Sequence, residues 1–171
     1  MLGDSLTAGF GISRDEAYPA LLQRKIDAAG YRYEVVNAGV SGDTSAGGLS
    51  RLDWSLAGDV RVLVIALGGN DGLRGLPVVE MKRNLGEIIA RARLRRIAVL
   101  LTGMETLTNM GPEYGRAFHE VFPALAREYD VAFLPFLLEG VAGRPELNQP
   151  DGIHPTVEGA RIIADHVWQM L

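Results

Sequence analysis

A serine on a glycine turn near one end of the chain, and a histidine with an acid three residues before it near the other, suit nucleophilic chemistry. Ser5 lies in Gly3-Asp4-Ser5-Leu6, directly after a short apolar start, where a turn at a strand end exposes a hydroxyl. Such a hydroxyl attacks an acyl carbon well when a neutral imidazole takes its proton and a third group holds that imidazole in the right tautomer. His154 stands in Asp151-Gly152-Ile153-His154-Pro155. A tight turn at Gly152 lets the Asp151 carboxylate reach Nδ1 while Nε2 points outward. The other histidines read as structural or surface residues: His119 falls among Phe118, Val121 and Phe122 in a helical stretch, and His166 lies in the last helix. Blander readings compete. Ser5 and Asp4 suit a turn that satisfies its own backbone donors, and Asp151 suits the acid that favours a helix N-terminus.

Acyl transfer also needs hydrogen-bond donors aimed at the oxyanion, each worth about 10²–10³ in rate. Two loops offer them. Asn37-Ala38-Gly39-Val40-Ser41-Gly42-Asp43-Thr44 carries Gly42 just ahead of a helix, where its backbone N–H can face a ligand. Gly68-Gly69-Asn70-Asp71 supplies the side-chain amide of Asn70. Each taken alone is also an ordinary Gly/Asn/Asp turn. Phosphate-cradling chemistry is disfavoured, because the sequence holds neither GxxxxGK[ST] nor GxGxxG. Metal ligation is disfavoured too, since no two histidines lie close and no HExxH occurs. No cofactor and no metal are expected.

These residues need a scaffold that brings distant loops together. Apolar runs bounded by turn residues alternate with helical periodicity, the mark of an α/β domain with a mainly parallel sheet. Strands are expected at 1–3, 33–37, 60–67, 97–102 and 132–134. Their near-continuous Val, Ile and Leu content suits burial on both faces. Helices are expected at 18–29, 46–56, 78–92, 112–127 and 156–171, with Pro77, Pro112 and Pro155 at or just before helix starts. The result is a three-layer α/β/α sandwich around a five-stranded, mainly parallel sheet, one domain over residues 1–171. In such sheets ligands bind past the strand C-termini. The segments 3–9, 38–48, 68–76 and 103–111 occupy those positions.

The composition agrees with a folded globular chain: 171 residues, 47% hydrophobic and 22% charged. Net charge is −4 with scattered basic residues, which disfavours nucleic acid and favours small-molecule partners. The densest basic run, Arg91 to Arg96, falls at a helix C-terminus, where cations complement exposed carbonyls. No apolar stretch reaches the roughly 20 residues of a membrane-spanning helix. Cysteine is absent, which leaves the redox compartment open. Met1-Leu2 alone precede the first turn, so upstream residues, a secretion signal among them, are expected.

Taken together, Gly3-Asp4-Ser5-Leu6, the Gly42 segment, Gly68-Gly69-Asn70-Asp71 and Asp151-Gly152-Ile153-His154 resemble, in order, the four blocks of the SGNH superfamily, also called GDSL hydrolases. The resemblance runs over nearly the whole chain. It implies the flavodoxin-like fold of that superfamily and a serine ester hydrolase without a cofactor. It assigns Ser5 as nucleophile and His154 and Asp151 as the rest of the triad, with Ser5, Gly42 and Asn70 forming the oxyanion hole. Ser41-Gly42-Asp43-Thr44 and the run from Gly69 to Gly75 look most like the bacterial arylesterase branch, which includes multifunctional thioesterase/lysophospholipase enzymes. That branch implies ester, thioester or lysophospholipid substrates and a periplasmic or secreted location. Leu73 and Leu76, with Met104, Leu107 and Met110 in the next loop, suit an apolar acyl groove, and core or lid packing equally. A carbohydrate acetylesterase and a catalytically silent lipid- or carbohydrate-binding domain are the rival readings.

Overall fold

A computed structural model describes residues 1–106 and 108–171, with Thr108 described by its backbone alone. Among the described residues five parallel strands form one sheet: β1 (Leu2–Gly3), β2 (Ala38–Gly39), β3 (Val62–Ala66), β4 (Ala98–Thr102) and β5 (Ala132–Leu134). Their spatial order is β2-β1-β3-β4-β5. The order reverses direction between β1 and β3, and the crevice outside such a switch point is where open α/β sheets bind ligands. The central strands have little choice but burial on both faces. Leu63, Val64, Ile65 and Ala66 are all buried, as are Val99, Leu100 and Leu101.

Among the described residues eight α-helices flank the sheet on its two faces: α1 (Ser5–Ala8), α2 (Tyr18–Ala28), α3 (Ser45–Ser50), α4 (Leu52–Ser55), α5 (Gly69–Leu73), α6 (Val78–Leu94), α7 (Pro112–Tyr129) and α8 (Val157–Gln169). Helix α2 packs on α8, while α6 lies between α3 and α7. The helices bury one stripe each. Met81, Leu85, Ile88, Ile89 and Ala92 of α6 meet the core at helical spacing, as do Phe118, Val121, Phe122 and Leu125 of α7.

The observed elements depart from the sequence expectations in three places. Residues 33–37 are not a strand: β2 is Ala38–Gly39, paired through Leu2↔Ala38 and Gly3↔Gly39. In this register Met1 stands beside Asn37, and its terminal amine donates to the Val36 carbonyl at 2.6 Å. The backbone of 33–37 is also held from the side, with Gln23 of α2 accepting from Val35 N–H at 2.5 Å and donating to the Tyr33 carbonyl at 2.9 Å. The helix expected over 46–56 is two short ones, α3 and α4, broken at Arg51. Gly47 and Gly48 weaken that stretch. The Arg51 guanidinium also spans the ends of two strands, donating to the Ala38 carbonyl at 2.7 Å and the Gly3 carbonyl at 2.9 Å. Finally, the turns after β1 and β3 carry the short helices α1 and α5, whose four and five residues are too few to show periodicity.

Candidate active site

Ser5 opens α1, immediately after β1. Asp4 is the N-cap, its Oδ1 accepting from Leu6 N–H at 3.0 Å. That cap fixes the entry to the helix and leaves Ser5 N–H among the first-turn amides that a helix cannot satisfy internally. Asp4 is 2% exposed. Burial pushes its carboxyl up to about 6, against the opposing pull of the Leu6 N–H, the His154 charge and the Asn70 amide.

His154 ends a turn just before α8. The turn is built by Asp151, whose Oδ1 accepts from the backbone N–H groups of Ile153 at 2.9 Å and His154 at 3.0 Å. Gly152 takes φ +71°, a left-handed conformation that side chains other than glycine's resist. Asp151 Oδ2 then lies 2.7 Å from His154 Nδ1. These contacts, the His154 backbone N–H first, then the Ile153 N–H and the imidazole, hold the Asp151 carboxyl down at about 2. Asp151 is therefore an anion at neutral pH. An anion at Nδ1 keeps the proton there and leaves Nε2 as the acceptor.

His154 Nε2 stands 2.8 Å from Ser5 Oγ, across 149 positions of sequence. Hydroxyl, imidazole and carboxylate thus form one continuous chain. The other histidines lie elsewhere: His119 of α7 pairs with Glu105 at 2.6 Å, and His166 belongs to α8 with a buried, unpartnered Nδ1.

Gly42 and Asn70 come from the loop after β2 and the first turn of α5, on either side of β1 in the sheet. Gly42 has φ +84°. Asn70 Nδ2 donates to the Asp43 carbonyl at 3.0 Å and contacts Asp4 Oδ2 at 3.3 Å, joining the two loops to the start of α1. The next residue, Asp71, is buried. Its two carboxylate oxygens take the N–H of Ser45 at 2.8 Å and the Ser45 hydroxyl at 2.6 Å, and Asn84 donates to that hydroxyl oxygen at 3.1 Å.

Several supporting residues escaped sequence reasoning. Arg51 donates to Asp43 Oδ2 at 2.6 Å, and Arg74 donates to the Gly42 carbonyl at 2.7 Å, so two guanidinium groups hold the Gly42 loop. Phe10 covers the His154 ring, and Gln149 ties the Phe10 carbonyl to the histidine turn. No sequence signal marks these partners, whose separations run from 6 to 144 positions, as between Gln149 and Pro155 and between Phe10 and His154.

Of the groove residues, Leu73 is exposed at the end of α5 and Leu76 is half-buried. Met110 Cε lies 2.6 Å from where a Cβ on Gly75 would stand, so Met110 rests on the loop after Asn70. Met104 is buried core instead, facing Gly69, and Leu107 lies outside the described residues. Among the described residues no group of three or more His, Cys, Asp or Glu side chains is placed to hold a metal, and no helix is long and apolar enough to cross a membrane.

The sequence pattern of the GDSL-like Lipase/Acylhydrolase family matches residues 1–162. Esterase TesA of Pseudomonas aeruginosa is 44% identical over 172 aligned positions, covering 100% of this chain and 86% of that protein. Thioesterase 1/protease 1/lysophospholipase L1 of Escherichia coli is 40% identical, covering 100% and 81%. Among solved structures, the psychrotrophic esterase EstA from Pseudoalteromonas sp., inhibited by monoethylphosphonate, superposes with a TM-score of 0.93 at 33% identity, covering 99% of this chain and 93% of that one.

Proposed function

We propose that this chain, which belongs to the GDSL-like lipase/acylhydrolase family, hydrolyses carboxylic esters through an acyl-enzyme formed on Ser5. It is an esterase-type serine hydrolase with the three-layer α/β/α fold of the SGNH hydrolases. The 2.8 Å contact between His154 Nε2 and Ser5 Oγ is the observation that carries the assignment of roles.

In the first step Ser5 Oγ attacks the carbonyl carbon while its proton passes to His154 Nε2. The imidazolium that results is held at Nδ1 by the Asp151 carboxylate, 2.7 Å away. The carbonyl oxygen becomes an oxyanion, for which the N–H groups of Ser5 and Gly42 and the Asn70 amide are the donors; each such donor is worth about 10²–10³ in rate. Collapse expels the leaving alcohol, protonated by His154, and leaves an acyl ester on Ser5. Water then enters, gives a proton to Nε2, and attacks the acyl carbon; the acid departs and Ser5 regains its proton.

The reading extends to acyl thioesters and lysophospholipids, a proposal supported by the activities in the name of the Escherichia coli relative. A periplasmic or secreted location is the matching proposal, resting on likeness to the arylesterase branch and tested by fractionating cells that express the native gene.

The deciding experiment is intact-mass analysis after treatment with an organophosphonate ester, followed by peptide mapping. One adduct on Ser5, lost in Ser5→Ala and slowed in His154→Ala, is the expected result. Folded protein that takes up no label, or takes it elsewhere, overturns the assignment.

A further inference from the structure

Asp4 does more than cap a helix. Its carboxylate is buried beside the start of α5, where Gly69 leaves room for it: a Cβ on Gly69 would stand 3.2 Å from Asp4 Oδ2. A cap alone asks for no buried charge, because Asn or Ser caps about as well as Asp. An ionised carboxyl is also a poor choice for a dry site, as the upward push on its pKa records.

We propose that Asp4 is a positioning residue for Asn70: the Asp4 carboxylate, held by the Leu6 N–H, accepts from the Asn70 amide and fixes the donor end of that carboxamide toward the oxyanion. This rests on the reading of Asn70 as an oxyanion donor. The two ends of a carboxamide have nearly the same shape but opposite hydrogen-bonding character. Two acceptors meet Asn70 Nδ2, the Asp43 carbonyl at 3.0 Å and Asp4 Oδ2 at 3.3 Å, and neither tolerates the oxygen end in that place. One amide hydrogen stays on Asp43. The other, in the longer contact with Asp4, is the hydrogen that an arriving oxyanion shares. Asp4 thereby links the nucleophile's helix to the donor on α5. The titratable groups facing Asp4 are His154, whose charge pulls the Asp4 carboxyl down, and Tyr18, whose hydroxyl is pushed up by burial first and by Asp4 as a lesser cause.

The test is a double-mutant cycle on Asp4→Asn and Asn70→Ala, read as kcat and KM on a simple aryl ester, with Asp4→Ser as a second variant. Both Asp4 variants keep a capping oxygen, so thermal melts check that each is folded. Asp4→Asn offers an NH₂ group where Asn70 needs an acceptor, and Asp4→Ser is too short to reach it. Each is expected to lower kcat by about tenfold, a fraction of a full oxyanion donor, at unchanged KM. In the Asn70→Ala background the same change is expected to cost almost nothing, because residues acting as a unit are not additive. Full kcat in folded Asp4→Asn and Asp4→Ser, alongside a reduced Asn70→Ala, overturns the proposal and leaves the oxyanion reading intact. Equal losses in both backgrounds overturn it as well, since Asp4 would then act through α1. Full kcat in Asn70→Ala instead removes the oxyanion reading beneath it.

Discussion

The ring of Phe10 leans on His154, with centroids 4.6 Å apart and planes inclined by 39°. Gln149 donates to the Phe10 carbonyl at 2.7 Å and to the Pro155 carbonyl at 2.9 Å, so the aromatic cover and the histidine turn are tied at both ends. A base held by packing as well as by hydrogen bonds keeps its near-attack geometry. Phe10→Ala is expected to lower kcat by about tenfold through a looser imidazole, with Phe10→Tyr close to the parent enzyme. Steady-state kinetics on an aryl ester check it; equal kcat in Phe10→Ala would make the contact incidental.

Asp151 is expected to act through its charge, and Asp151→Asn separates that charge from shape. The amide lets the imidazole settle in the wrong tautomer, and about 10⁴ in kcat is the scale of such a loss. The Asp151 side chain is 39% exposed, so water can stand in for part of it, and a smaller loss than that is expected. The folded carboxyl sits at about 2, below its ordinary 3.8. Its contribution to stability is therefore present above 3.8 and is lost as pH falls toward 2. Asp151→Asn should remove that acid-side dependence from a pH series of melts. A variant with unchanged kcat would reduce Asp151 to a helix acid.

Ser45 links Asp71 to Asn84 in the core. Ser45→Ala leaves the Asp71 carboxylate short of a donor and Asn84 short of an acceptor, and a buried group left unpaired costs about 1–3 kcal/mol. Urea denaturation is expected to show that loss as a lower midpoint with the same slope. An unchanged midpoint would mean that the network contributes nothing net.

Met110, resting on the Gly75 backbone, borders the loop that follows Asn70. If this edge receives an acyl chain, Met110→Glu is expected to lower kcat/KM for long-chain acyl esters more than for acetyl esters. The acetyl rate serves as its own control for the chemistry. Equal losses on both would assign Met110 to packing.

How much of this site was legible in the residues depended on how far each contact reaches. The Asp151–His154 pair was readable because three residues and a glycine turn bring the two together, whatever the rest of the chain does. Gly42 and Asn70 were readable as loop residues past strand ends, a position that strand–helix alternation identifies. Residues 33–37 read as a strand on their Val and Tyr content, whereas the strand that pairs with β1 is Ala38–Gly39. The helix over 46–56 was misread for a related reason: its break at Arg51 serves contacts with Asp43, Ala38 and Gly3.

By itself, then, the order of residues determined the alternation of strands and helices, the turn that joins acid to base, and the nature of each reactive group. The tertiary structure alone decided that Ser5 meets His154, that Asp4 meets Asn70, that Arg74 meets Gly42 and that Phe10 covers the base. The Asp4–Asn70 and Arg74–Gly42 contacts depend on the order β2-β1-β3, which sets the loops after three strands side by side, and those of His154 depend on the packing of α8 against α2. Local propensity acts over a few residues, whereas strand order is a property of the packed whole, chosen by burial of both sheet faces.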